Sequence, residues 1–494
     1  MLALVPGGVQ AQAPAAPVTL TVAGSVSASD NGGLSPPGQA RNDWITSVQP
    51  RVGVARHGRG LDLDLQAGVK LLSFANGTQR GGLLPDASVS ARATLVEHLL
   101  RVDAAARVRQ SEADPFGARQ DGLSAANRRT EGLYEVSPLL EHDFSPRVSL
   151  AVRHTATLRT HAAGVGERFV SQRSMVRLER KAAPLGAALE LLRDAGHTRG
   201  VATSRSMVEA ARLHASLRLH DEIVLGAFVG RERSRLLLSD RNDALHGLSL
   251  QWTPGPRTEV SATVEHRFFG RGGSFALRHR TPFLSLEFAA GRQPVVSSAS
   301  LGVAGQGHDL RGFLDAILIT RYPDPAVRSG IVSGVIASRG LGGELQGPVD
   351  VVAEYPQLQS ELRATAVLLG TRNTVSLTLY RQSLRQILRP GDPLALVGPA
   401  VADSRQSGAS LQFGRRLGPQ LSAEAIVRWS RFEGLSLREG DVSDDKAYRL
   451  SLTRHLSLRT DASAGFQHTR FATTVSGQNP YVATLGFVGL HHRF

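Results

Sequence analysis

The chain has 494 residues, 51 of them glycine, with no cysteine, 5% aromatic residues and a formal charge of +14. That length fits two or three ordinary domains, or one large closed β-structure whose size is set by strand number. The missing cysteine excludes a disulfide framework and a thiolate metal site. The excess of 57 basic over 43 acidic residues points to an anionic partner: nucleic acid, a membrane surface or an acidic polymer.

The first residues, MLALVPGGVQAQAPAAP, carry an apolar start and Ala11-Gln12-Ala13, a pattern that signal peptidase cuts. Residues 1–13 are expected to be the remnant of an export signal; the plainer reading is a disordered Ala/Pro tail. No run approaches the ~18 apolar residues of a membrane helix. A membrane-spanning form of this chain must therefore be a barrel, because only helices and closed barrels satisfy every backbone group in lipid.

Period-2 alternation starts at Val18 and recurs almost to the end. In Leu61–Leu71 the odd positions are apolar and the even ones mostly polar or small. Leu150, Val152, Ala156 and Leu158 share one face of their segment, and Arg153, Thr155, Thr157 and Arg159 share the other. The same split recurs in 374–379, 421–429 and 448–453, as expected of strands with one apolar and one wet face. Connection length separates a sandwich from a barrel. SDNGGLSPPGQARND follows the first strand, HGRG at 57–60 the second and ANGTQRGGLL the third, and long and short connections keep alternating. Long loops on one side and tight turns on the other are the signature of a meandering transmembrane barrel.

The expectation is an all-β fold: a large antiparallel barrel over residues 18–494, with about 22 strands and a range of roughly 18–26. An even count puts both termini on the periplasmic side and the long loops outside. One segment breaks the pattern. Between residues 295 and 355, Leu310, Phe313, Leu314, Ile317 and Leu318 recur at helical spacing, and Asp324-Pro325 restarts a second helical piece. A helical hairpin is expected there, either capping the mouth, plugging the lumen or lying as a disordered loop. The chain closes on GFVGLHHRF, where Phe494 resembles the terminal aromatic of an outer-membrane assembly signal, although His492 stands where such signals usually carry an apolar residue.

Three stretches carry a family resemblance: DPFGARQDGLSAANRRTEGLYEVSPLLEHDF (114–144), LDAILITRYPDPAVRSG (314–330) and LLGTRNTVSLTLYRQS (368–383). With the strand pattern they make the chain similar to the outer-membrane β-barrel proteins associated with the PEP-CTERM/exosortase system, found beside exopolysaccharide loci. The resemblance implies a barrel in the outer membrane and a link to polysaccharide export. It implies no catalytic residue. Six Tyr and three Trp make thin interfacial girdles for such a barrel.

If the apolar face meets lipid, the other lines the lumen. That face would present Arg101, Arg107 and Arg109, then Arg153, Arg159, Arg177, Arg212, Arg218, Arg278, Arg428 and Arg449. Asp62, Asp64, Asp103, Glu179 and Glu424 share it in smaller number. Surplus guanidinium groups can grip carboxylate or phosphate in bidentate fashion; the competing reading is that they pair with acids across strands. No metal and no cofactor is expected: His491 and His492 are adjacent, so a strand points them to opposite faces, and no His-Glu-x-x-His pattern occurs. An enzyme is not expected, since no Gly-x-Ser-x-Gly elbow or paired-carboxylate motif stands out. Basic residues spread along strands also speak against nucleic acid. The chain is expected to pass or anchor an anionic exopolysaccharide, with outer-membrane lipid and periplasmic export components as further partners. The alternatives are a non-conducting structural or assembly barrel and, third, an outer-membrane hydrolase.

Overall fold

The computed structural model describes residues 18–494 except 57, 59, 118–126, 162–167, 200–203, 237–238, 296–308, 344, 346, 350–355 and 388–402. The expected export remnant at 1–13 lies outside the described residues. The strands begin with β1 (Val18–Ser29), β2 (Asp43–Arg56), β3 (Leu61–Phe74), β4 (Gly82–Val96), β5 (Leu100–Glu112), β6 (Arg128–Ser145), β7 (Val148–His161) and β8 (Arg168–Arg180). There follow β9 (Leu185–Arg199), β10 (Ser204–His220), β11 (Ile223–Leu236), β12 (Ser239–Gly255), β13 (Thr258–Arg267), β14 (Gly270–Arg280) and β15 (Leu284–Val295). Beyond an insert come β16 (Gln357–Leu369), β17 (Asn373–Gln386), β18 (Ser404–Arg416), β19 (Leu421–Gly434), β20 (Val442–His455), β21 (Thr460–Thr473) and β22 (Tyr481–Arg493).

Consecutive strands pair antiparallel in one 22-stranded sheet, and β22 pairs with β1 from Thr21↔Arg493 to Ser29↔Leu485. That seam closes the ring. Phe494 extends it, its N–H donating to the Leu20 carbonyl at 2.9 Å. Which face is concave follows from long-range contacts. Arg212 on β10 reaches Glu265 on β13 at 3.8 Å across two intervening strands, and Arg267 on β13 reaches Glu232 on β11 at 2.7 Å. Only the inside of a curved sheet brings such residues together. The opposite face carries exposed Val18, Leu20, Leu71, Leu213, Leu248 and Leu450, so the outer wall is apolar.

Loop length departs from strict alternation in one sector. After β13, on the long-loop rim, Phe268 and Phe269 turn the chain in two residues, with Gly270 at φ +93° supplying the left-handed step. Phe268 folds back to pack with Val208 and Leu236, so the turn is closed by apolar contact rather than by length.

The insert contains α1 (Leu310–Leu318) and α2 (Pro325–Ser338), each started by an aspartate. The Asp309 carboxylate accepts from Arg311 N–H, and Asp324 from Ala326 and Val327 N–H, with Pro325 in the first turn where its missing donor costs nothing. The apolar positions read from the sequence converge: Leu310, Phe313, Leu314, Ile317 and Leu318 meet Val332, Ile336 and Leu341, and the cluster seals against Val367 and Leu369 on β16. Val367 and Leu369 lie on the concave face, so the hairpin sits inside the ring.

Candidate functional site

The inner wall is first of all a set of ion pairs. Glu131, 1% exposed, takes Arg159 at 2.8 Å and Arg109 at 3.8 Å. Glu190 takes Arg177 at 3.1 Å and Arg212 at 3.4 Å, and Glu179 adds a second contact to Arg177. Arg428 meets Asp445 at 2.9 Å, Arg101 meets Asp103 at 3.4 Å, and Arg278 lies within 4.0 Å of Glu259 and Glu287. Arg218 instead donates to the Ala182 carbonyl, and Arg449 stacks over the Phe487 ring at 4.8 Å. For Arg107 and Arg153 no carboxylate partner occurs among the described residues. The eleven arginines therefore do not form one cationic patch; most are cross-braces of the wall.

One further cation shares the inner face: Lys70 on β3, on which the charges of Arg128 on β6 and Arg449 on β20 bear. Only Arg449 of these three was singled out from the sequence. Lys70 occupies an even position of the alternating segment 61–71, so the parity rule that selected the arginines would have found it had lysine been counted with them.

The hairpin is latched at the opposite rim from the one where its chain enters. It leaves β15 at the long-loop rim, yet Arg339, at the end of α2, grips the short turn between β16 and β17. Its guanidinium donates to the carbonyls of Gly370 (2.8 Å), Asn373 (3.2 Å) and Thr371 (3.3 Å), and to the Thr374 hydroxyl. Burial, with the charge of Arg416 added, holds the Arg339 pKa below the ordinary guanidinium value, but an arginine stays charged. Gly340 follows at φ +62°, where an added Cβ would stand 2.8 Å from the Ser422 hydroxyl, so the turn needs glycine twice over. The return climbs the wall: Gly342 N–H donates to Glu424, and Val349 N–H donates to Gln406 on β18. Within the hairpin, Arg328 clasps Asp315 at 2.6 Å and the carbonyls of Tyr322 and Pro323.

At the long-loop rim the segment after β5 reaches across. Phe116 is fully buried, edge-on to Phe432 of β19 at 4.7 Å and capped by the Arg438 guanidinium at 4.0 Å. Ser443 of β20 donates to its carbonyl at 2.6 Å, and Gln478 donates to the Asp114 carboxylate at 2.9 Å. This strap joins β5–β6 to β19–β21 over the mouth. No periodicity marked Phe116, because a loop anchor has no repeat to betray it.

The outer wall settles the environment. All three tryptophans point outward: Trp44 (58% exposed) near the long-loop end of β2, Trp252 (41%) at the short-turn end of β12, and Trp429 (36%) in the upper half of β19. Between those levels the outward positions are largely Leu, Val, Ala and Phe, which is the apolar band flanked by aromatics of a bilayer-spanning barrel. The chain is a bacterial outer-membrane β-barrel.

Similar solved structures are barrels of the same kind. The iron transporter FrpB of Neisseria meningitidis superposes with a TM-score of 0.52 over 96% of this chain and 82% of its own, at 9% identity. The ferric enterobactin receptor of Pseudomonas aeruginosa gives 0.47 over 97% and 82% at 11% identity, and the siderophore receptor PirA of the same organism 0.45 over 97% and 81% at 8%. At such identity the likeness is one of fold. No family model and no curated protein matches the sequence. With the outer membrane placed, the short-turn rim holding Arg339 is periplasmic and the strap lies outside.

Proposed function

We propose that the barrel passes an anionic polysaccharide across the outer membrane, along a cationic wall and past a hairpin that occupies only part of the lumen. Twenty-two strands about 4.8 Å apart and tilted by roughly 40° make a backbone ring roughly 44 Å across, which inward side chains narrow to roughly 34 Å, whereas two helices side by side span only about 20 Å. That mismatch carries the reading: a hairpin too small to fill the ring narrows a path and regulates it. Arg107 and Arg153, with no carboxylate partner among the described residues, supply the anion preference, and the resemblance of 114–144, 314–330 and 368–383 to exosortase-associated barrels suggests the polymer class. The three stretches coincide with the strap, the hairpin and the turn that Arg339 grips. Periplasmic export components would meet the barrel at that latched rim, and Phe494 at the seam would serve as the assembly signal. The chemistry needs no enzyme.

Planar-bilayer recording tests this. The intact barrel should conduct with anion preference, deletion of 309–349 should raise conductance several-fold, and polygalacturonate fragments should block where neutral dextran does not. Silence from both forms would refute passage. One observation favours the second reading, a non-conducting scaffold: the apolar cluster that seals the hairpin to Val367 and Leu369. A silent intact barrel beside a conducting deletion would support it.

A further inference from the structure

Outward side chains of a membrane strand meet acyl tails at mid-height and headgroups near the rim, so their chemistry reports the lipid beside them. The outer wall is not uniform. On β2 and β3 the outward positions stay mostly apolar up to the extracellular end, from Val54 to Trp44 and from Leu61 to Leu71. From β9 onward, arginines enter below that level. Arg193 on β9, Arg231 on β11, Arg271 on β14, Arg292 on β15, Arg381 on β17 and Arg470 on β21 all fall on outward positions in the extracellular half of their strands.

Their height can be worked out from the strand. Arg231 stands eight residues above Ile223, about 20 Å along the membrane normal at ~3.3 Å per residue and a tilt of roughly 40°, inside an apolar band that is ordinarily ~25 Å tall. On β3 the apolar positions run ten residues, or roughly 25 Å by the same conversion. Arg231, Arg271, Arg292, Arg381 and Arg470 have no carboxylate partner among the described residues. A run of such guanidiniums facing lipid is costly unless the lipid itself provides the anion.

The best-formed part is a crevice of about 440 Å³ in the outer wall between β8 and β12. Val176, Leu191 and Ala211 make an apolar floor; Arg193, Arg231 and Arg233 stand at its edge. Glu209 lies opposite both Arg193, 3.5 Å away, and Arg233, which Asp240 holds at 2.8 Å, so Arg231 is the guanidinium left for an external anion. An apolar floor beneath a free guanidinium suits an amphiphile with acyl chains below and a phosphoryl group above. Guanidinium and phosphate match as a bidentate pair.

We propose that the outward arginines from β9 to β21 bind the phosphorylated headgroups of outer-leaflet lipid, with the Arg193–Arg231–Arg233 crevice as the principal subsite. The surface is independent of what crosses the lumen. Native mass spectrometry of the detergent-solubilised barrel tests it with three probes: diphosphoryl lipid A, the same lipid dephosphorylated, and inorganic pyrophosphate. Diphosphoryl lipid A should be retained at least tenfold more strongly than the dephosphorylated lipid, and pyrophosphate should not be retained. Arg193→Gln with Arg231→Gln should lower lipid retention about tenfold, while Arg107→Gln with Arg153→Gln inside the lumen should leave it unchanged. Both variants are first shown to be folded by heat-modifiable electrophoretic mobility. Equal retention of the two lipids, or full retention by the outer-wall variant, would overturn the assignment; pyrophosphate binding as tight as lipid would give the surface to free phosphate and overturn it as a membrane site.

Discussion

Arg339→Met is the sharpest test of the latch. Methionine keeps an aliphatic stem in place and removes the donors, so packing is conserved while the bonds to Gly370, Thr371, Asn373 and Thr374 are lost. Charge-assisted hydrogen bonds contribute ~1.5–3 kcal/mol each, but carbonyls at a rim turn regain water when the hairpin leaves. The net loss is then about 3 kcal/mol, a shift of roughly a hundredfold toward the undocked hairpin. The chain has no cysteine, so Ile336→Cys, at a buried position of α2, gives a single reporter. In reconstituted liposomes, a water-soluble maleimide should label the Arg339→Met background about a hundredfold faster than the parent. Labelling within threefold of the parent, with heat-modifiability unchanged, would mean that the apolar contact with Val367 and Leu369 holds the hairpin and the guanidinium does not.

Other outcomes follow from the same contacts. Glu232→Ala leaves the buried Arg267 guanidinium only Glu265, at 3.4 Å, and should cost less in urea unfolding than Glu232→Ala with Glu265→Ala, which strands the charge and should cost about 3–5 kcal/mol; Glu232→Leu with Arg267→Met should lose less than that double variant. Phe116→Ala removes the strap's anchor; at ~3 kcal/mol for an aromatic truncation it should speed amide hydrogen exchange at 114–117 without altering the barrel's heat-modifiable mobility. Because all three tryptophans face outward, lipids brominated near the headgroup should quench most of the intrinsic fluorescence, and lipids brominated at the acyl terminus much less.

The barrel was legible because its signal is repeated. Each strand states the same alternation, so an error in one is outvoted by its neighbours, and the expected strand number of about 22 is met by 22 in the structure. The helical pieces were legible for a similar reason: five apolar residues at helical spacing and an Asp-Pro start. What parity could not supply was partnership. Arg159 and Arg107 look alike in sequence, yet one is braced on Glu131 and the other meets no carboxylate among the described residues, because the acid that decides sits on a strand whose register no single segment reveals. Nor could it place the hairpin. The expectation left cap, plug and loose loop open, and the choice of plug rests on the apolar cluster with Val367 and Leu369 on the inner face and on Arg339 meeting a turn more than thirty residues away.

The seam between β1 and β22 has a consequence for how the molecule is made. Every other joint in the ring links strands that follow one another in the chain, and all but the one interrupted by the insert need only a modest loop to close. The last joint must bring together segments separated by nearly the whole sequence. A slip of one residue at any hairpin would turn every later strand inside out, and the mismatch would surface at the seam, where apolar residues would be asked to face water. Completion of the ring thus acts as a proofreading step: a barrel with a wrong register does not shut.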